Sequence, residues 1–163
     1  MRNFIKKLLL PSFIIYLFAL TFLLLARNNH YPQSLIDRIR YIANFVPFKT
    51  VIGFIVDAAN GSVAPRFALR NIFGNLAAFQ PMGFYLPCFF GRFRGLLKTV
   101  CGVYLIVLFF ETVQILTGLG CFDVDDLILN VVGSIGGYGL FKLLSIHNVF
   151  EKTEDQEALY DSI

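Results

Sequence analysis

The sequence predicts an all-α protein embedded in a membrane. We expect a bundle of about four transmembrane helices with an interfacial or re-entrant segment in the first loop. Of the 163 residues, 56% are hydrophobic and only 15% are charged, which is too apolar for an ordinary soluble domain. Several stretches also run for about 20 residues with few charges, the length of helix that crosses a hydrocarbon core. The net charge of +3 is spread along the chain, which argues against nucleic-acid binding.

Two uncharged stretches in the first half of the chain predict the first two spans. Span one, residues 8–26, follows a basic N-terminal segment, residues 1–7. Span two, residues 71–91, contains Pro81 and Pro87, which bend a helix but are tolerated where neighbouring helices satisfy the carbonyls they leave without a donor.

Two apolar stretches in the second half predict the remaining spans. Span three, residues 99–119, contains one charge, Glu111, and span four, residues 127–150, contains Lys142. The last segment, residues 151–163, is rich in acids and has little to bury, so it is interpreted as a solvated acidic tail.

The long first loop, residues 27–70, contains a mostly apolar segment at residues 41–56. This segment is interrupted by Pro47, Lys49 and Gly53 and is too short for a regular span, so an interfacial or re-entrant helix is the favoured interpretation. A fifth span remains the alternative. Basic residues before span one and between spans two and three predict both termini in the cytoplasm, although the basic residues of the long loop argue the other way.

A polar face on each of spans three and four marks the candidate site. Glu111 is costly in lipid and is therefore expected to face the bundle interior, with Gln114 on the same face. In span four, polar and small residues recur at steps of 3, 4, 3 and 4, in the order Asp123, Asp126, Asn130, Gly133 and Gly137. The Gly133 and Gly137 pair is a GxxxG motif, which predicts close helix packing along this face.

The predicted topology brings these faces together in one half of the bilayer, because spans two and four start from the same side. The expected binding residues are Asn75, Glu111, Gln114, Asp123, Asp126 and Asn130, with Arg66 and Arg70 as counter-charges. A purely structural alternative stays open: Asp123 and Asp125 could cap the N-terminus of span four, and the asparagines could be hydrogen-bond contacts between helices.

Four ordered motifs resemble the VanZ-like family, which is named for a teicoplanin-resistance membrane protein. They are Asn44-Phe45-Val46-Pro47-Phe48, residues 74–83 (GNLAAFQPMG), Glu111-Thr112-Val113-Gln114 and residues 123–133 (DVDDLILNVVG), and together they cover about residues 44–141. Two departures stand out. Cys121 replaces an arginine found in many members, and Gln80 replaces an aliphatic residue.

The resemblance implies a multi-pass protein of the bacterial cytoplasmic membrane, for which three functions are open. The favoured hypothesis is a non-enzymatic envelope protein without a cofactor. By binding or interaction it would lower the access of teicoplanin-type lipoglycopeptides to their target. Its expected partners are membrane lipids and either a lipid-linked envelope precursor or the lipoglycopeptide. A homo-oligomer, formed with further copies of the chain, is a further expectation.

The second hypothesis is a metal-assisted enzyme acting on a lipid-linked phosphate. Asp123, Asp125 and Asp126 would hold Mg²⁺, and Glu111 and Asp126 are the catalytic candidates. The short acidic string lacks the glycine and the spacing of a calcium-binding loop, which makes this motif weak. The third hypothesis is proton-coupled transport with Glu111 as the protonatable group.

Overall fold

A computed structural model describes residues 2–25 and 32–144, with backbone only for residues 2–6, and this part of the chain is all-helical. The helices are α1 (Arg2–Leu25), α2 (Leu35–Asp37), α3 (Lys49–Ala59), α4 (Pro65–Ala78), α5 (Gln80–Phe89), α6 (Leu96–Thr117) and α7 (Val124–Leu143). A π-helical turn, Arg38–Ile42, follows α2, and a 3-10 turn, Gly91–Phe93, precedes α6. The acidic tail and the end of predicted span four, residues 145–150, lie outside the described residues.

Three helices in the described part of the chain are long and apolar enough to cross a membrane. They are the Lys7–Leu25 stretch of α1, α6 and α7. These correspond to predicted spans one, three and four, so a multi-pass helical membrane protein is confirmed. Four spans are not confirmed, because the region of predicted span two is divided.

Predicted span two is two helices, α4 and α5, which meet at Phe79. Pro81 lies at the start of α5, and it has no N–H to donate back to the preceding turn. Beside this break, the hydroxyl of Tyr16 on α1 donates to the carbonyl oxygen of Ala78 at 2.8 Å. With 14 and 10 residues, neither helix alone reaches the roughly 20 residues that cross a bilayer.

The centre of the bundle is α7, which packs on α4 and α5 through glycines. A Cβ on Gly133 would lie 1.9 Å from the carbonyl oxygen of Leu76, and one on Gly137 would lie 1.8 Å from that of Gln80. The contacts from Asn75–Asp126 through Leu76–Gly133 and Gln80–Gly137 to Cys88–Phe141 follow the same order along the two segments, so α4 followed by α5 runs in the same direction as α7. The apolar core around Phe79, Val103 and Val107 fills the space toward α6.

The predicted interfacial segment, residues 41–56, contains the end of the π-helical turn, a loop and most of α3. Phe48 in this loop has a φ of 65°, an uncommon conformation for a bulky residue. A turn then reverses the chain into α4, and the rings of Phe54 and Phe67 meet at 5.8 Å. We call α3, this turn and α4 the α3–α4 hairpin. Its docking on the bundle defines the polar site.

Candidate functional site

The polar site is centred on the turn between α6 and α7. Asp123 is the N-cap of α7, and its side chain accepts a hydrogen bond from the N–H of Asp125 at 2.9 Å. The buried Glu111 of α6 accepts a hydrogen bond from the N–H of Asp123, at 3.1 Å from its Oε2. Glu111 therefore fixes the geometry of the chain where α7 begins.

The first loop binds this turn through backbone and side chains. Asn44 and Asp123 form an isolated parallel bridge, with Asn44 N–H donating to Phe122 O at 2.8 Å and Val124 N–H donating to Asn44 O at 3.0 Å. The amide nitrogen Nδ2 of Asn44 also donates to Asp123 Oδ1 at 2.9 Å. The Thr50 hydroxyl donates to Asp123 Oδ2 at 2.7 Å. Both carboxylate oxygens of Asp123 thus have partners.

Asp125 binds the N-terminus of α3. Its carboxylate accepts hydrogen bonds from the N–H groups of Phe48, of Thr50 at 2.8 Å and of Val51 at 3.0 Å. The first N–H groups of a helix have no partner within the helix, and the positive end of its dipole favours an anion there. Asp125 is only 1% exposed, so these three donors are what make its burial tolerable.

Arg38 attaches the start of the loop to the other side of the turn. Its guanidinium donates to the carbonyl oxygens of Ile115 at 2.8 Å and Leu116 at 3.0 Å, in the last turn of α6. It also donates to Pro32 O and Gln33 O, so one buried arginine joins the loop to the end of a spanning helix. Gly118, with a φ of 74°, makes room for it, because a Cβ there would lie 2.9 Å from Nη1.

A second polar pair lies between α4 and α7. Asn75 Nδ2 donates to Asp126 Oδ1, and both residues are half-buried. One turn further along α7, Asn130 is only 2% exposed, and its Oδ1 has no hydrogen-bond partner among the described residues. The pair therefore retains partial exposure, as Asp123 and Thr50 do, whereas Asn130 is enclosed.

The structure divides the predicted site residues into groups. Glu111, Asp123 and Asp125 lie at the turn, Asn75 and Asp126 at the α4–α7 contact, and Gly133 and Gly137 in the helix seam. Gln114 lies apart from the aspartates and donates to Leu24 O of α1 at 2.7 Å. Arg66 and Arg70 are exposed on α4, and Asp123 and Asp125 take their described contacts from backbone amides, Asn44 and Thr50 instead.

The sequence prediction missed Arg38, Asn44 and Thr50 as site residues. Asn44 was within reach, because it opens the first motif of the family resemblance. Arg38 and Thr50 carry no signal in a single sequence, since the partners that join them to α6 and α7 lie more than 70 residues away.

The three aspartates do not fit the Mg²⁺ site of the second hypothesis. The carboxylates of Asp123 and Asp125 each accept three hydrogen bonds from amides or a hydroxyl, which leaves each about one of roughly four acceptor positions for a cation. Within residues 2–25 and 32–144, no three His, Cys, Asp or Glu side chains form a group that could hold a metal ion.

An apolar groove lies away from the polar site, between α5 and α7. Its volume is about 300 Å³, and its lining residues are Gln80, Pro81, Phe84, Tyr85, Leu140 and Leu144. It opens near the end of α7 that is opposite Asp126, so it is a separate feature of the surface.

Comparison with known proteins places the whole site within one family match. The family model described as VanZ/LLP1 matches residues 13–145, a range that contains every site residue from Arg38 to Asn130. No curated protein and no solved structure matches the chain.

Proposed function

The chain belongs to the VanZ/LLP1 family, and on that premise we propose that it is an envelope protein of the bacterial cytoplasmic membrane that acts by binding. In this proposal it lowers susceptibility to teicoplanin-type lipoglycopeptides without chemically altering their target. Its three apolar helices support a location in the membrane, where lipid-linked precursors and lipidated antibiotics are also held.

The half-buried pair of Asn75 and Asp126 is the observation that carries this proposal. Asp123 and Asp125 hold the first loop, so their carboxylates are already used within the protein. Asp126 instead binds Asn75 at the α4–α7 contact, and both members of this pair are half-buried. A carboxylate next to a primary amide offers acceptors and a donor to the amide and hydroxyl groups of a peptide or sugar head group.

Glu111 has a positioning role in this proposal. By accepting the N–H of Asp123, its carboxylate fixes the start of α7 and therefore the place of Asp126 one turn later. Its neutral analogue, glutamine, keeps the size of the side chain but replaces a charge-assisted hydrogen bond with a weaker one. Loss of Glu111 should consequently act through the position of Asp126.

The test is teicoplanin susceptibility, with vancomycin for comparison, in a sensitive Gram-positive host. The strains express wild type, Asp126→Asn, Glu111→Gln or the control Asp57→Asn at matched membrane levels. Asp57 is an exposed carboxylate on α3, so its substitution changes charge without touching the site. We expect selective protection by wild type and Asp57→Asn, and loss of protection in both other variants.

Two results would contradict the proposal. If wild type is well inserted but gives no protection, this protein does not confer resistance. If Asp126→Asn protects fully, the Asn75–Asp126 pair is not needed for protection. The other two hypotheses are tested in the same strains. A changed lipid-linked precursor in protected cells would favour an enzyme, and pH-driven flux in liposomes would favour a transporter.

A further inference from the structure

We propose that the α3–α4 hairpin binds the phosphate groups of anionic lipids through Lys49, Arg66 and Arg70. This surface is distinct from the pair of Asn75 and Asp126, so the inference goes beyond the proposed function and does not rest on it. It assigns a partner to the exposed surface of the hairpin that carries Arg66 and Arg70.

The hairpin lies at the level of a membrane surface. Helices α6 and α7 are both long enough to span, and the turn that joins them must emerge at one face of the bilayer. Asp125, just after that turn, binds the first N–H groups of α3, and Asp126 binds Asn75 of α4. Both helices of the hairpin are therefore attached beside the emerging turn.

The hairpin exposes large apolar side chains on both of its helices. Ile52, Ile55, Phe67 and Phe73 are each more than half exposed, at 53% to 61%. Large apolar side chains on a helix at the membrane surface are stabilised by insertion among the lipid head groups and upper acyl chains. This exposure fits a lipid surface as the neighbour of the hairpin.

The charge of the hairpin complements anionic lipids. Between residues 49 and 78 there are three basic residues and one acid, Asp57, which gives a net charge of +2 (three minus one). Arg66 and Arg70 are exposed and one helical turn apart, so they lie on the same side of α4. The contact between Phe54 and Phe67 sets an antiparallel register that places Lys49 at the Arg70 end of the hairpin.

The predicted orientation makes these charges unusual. Lysine and arginine are normally concentrated on the cytoplasmic side, which in the predicted orientation is the end with Arg92, Arg94 and Lys98. The hairpin lies at the opposite end of α6, so the orientation rule does not account for its basic residues. The planar guanidinium fork pairs well with phosphate oxygens, and an exposed pair of arginines among apolar side chains suits a lipid phosphate.

The experiment titrates the purified full chain in detergent with phosphatidylglycerol and measures thermal stabilisation. Phosphatidylcholine, which has no net charge, and inorganic phosphate are titrated in parallel. The variants are Arg66→Gln/Arg70→Gln and a double variant with the same loss of charge at the other end, Arg92→Gln/Lys98→Gln. All four of these residues are exposed, so both variants should fold as wild type does.

We expect wild type to prefer phosphatidylglycerol over phosphatidylcholine. The hairpin variant should bind phosphatidylglycerol about 30-fold more weakly, the size expected for two surface charges. The variant at the other end should retain most of the preference. Three results would overturn the inference: no preference for the anionic lipid, equal losses in both variants, or displacement of the lipid by millimolar inorganic phosphate.

Discussion

Helix α7 is held in two different ways along its length. Its first turn is fixed by directional hydrogen bonds, in which Asp123 and Asp125 bind the first loop and Asp126 binds Asn75 of α4. From Gly133 onward it is fixed by backbone packing, with Gly133 and Gly137 against the carbonyl oxygens of Leu76 and Gln80. Hydrogen bonds to carboxylates therefore fix the position of the start of α7, and the small size of glycine permits the close packing of its later turns.

The two kinds of contact respond differently to substitution. A hydrogen-bonded end can lose one interaction and keep its neighbours, so the first loop can loosen while the bundle stays assembled. The contact of Gly133 and Gly137 with the α4 and α5 backbones cannot weaken gradually, because any atom added there must push two backbones apart. Single substitutions at the two ends of α7 should therefore differ in the size and the reach of their effects.

Substitution of Gly133 with alanine should have the largest effect. Its Cβ would lie 1.9 Å from Leu76 O, so α4 and α7 must separate, which we expect to cost about 3 kcal/mol. Thermal unfolding in detergent measures this change. The control is Gly139→Ala, because a Cβ there meets nothing within 4 Å. Equal stability of the two variants would show that the seam is not tightly packed.

Substitution of Asp125 with asparagine should have an intermediate and local effect. The Nδ2 of asparagine cannot accept from the N–H groups at the start of α3, so we expect a loss of about 2 kcal/mol. Hydrogen exchange should rise in residues 44–51 and stay unchanged around Gly133. Exchange in Asp57→Asn should match wild type. Uniformly faster exchange in the Asp125 variant would contradict the separation of the two regions.

Substitution of Asn130 with leucine should have the smallest effect. The buried Oδ1 has no partner in the described structure, so an apolar side chain of similar size should leave stability unchanged or raise it by about 1 kcal/mol. Unfolding measurements test this prediction. A clear loss of stability would mean that Asn130 has a partner in the folded protein. Lost protection against teicoplanin at full stability would place it in the ligand site.

The sequence predicted those spanning helices that a long apolar stretch is enough to identify. Three spans match α1, α6 and α7 within a few residues in the described part of the chain. The break at Phe79 was harder to predict, because Pro81 can bend a helix or end it, and the outcome depends on Tyr16 reaching a carbonyl from another helix. Tertiary contacts of this kind leave no local pattern.

The candidate site shows the same division between local and distant contacts. The alternative that Asp123 caps α7 is confirmed, since capping involves neighbouring residues. Asp125 instead binds a helix that lies 74 to 77 residues earlier in the chain. For Asp125 the N-terminus of α3 supplies a positive potential. The counter-charge role of Arg66 and Arg70 stays a prediction.

The anchoring of the first loop sets an order of assembly during synthesis. Arg38, Asn44 and Asp125 bridge segments separated by 75 to 79 residues, and in each case the loop is made first. At a translation rate of roughly 5–20 residues per second, the loop waits about 4–15 seconds for its partners. During that interval its apolar side chains have only lipid, or an insertion factor, to cover them. Ribosome-stalled chains that end before Asp125 should therefore expose this loop to proteases, and longer chains should protect it.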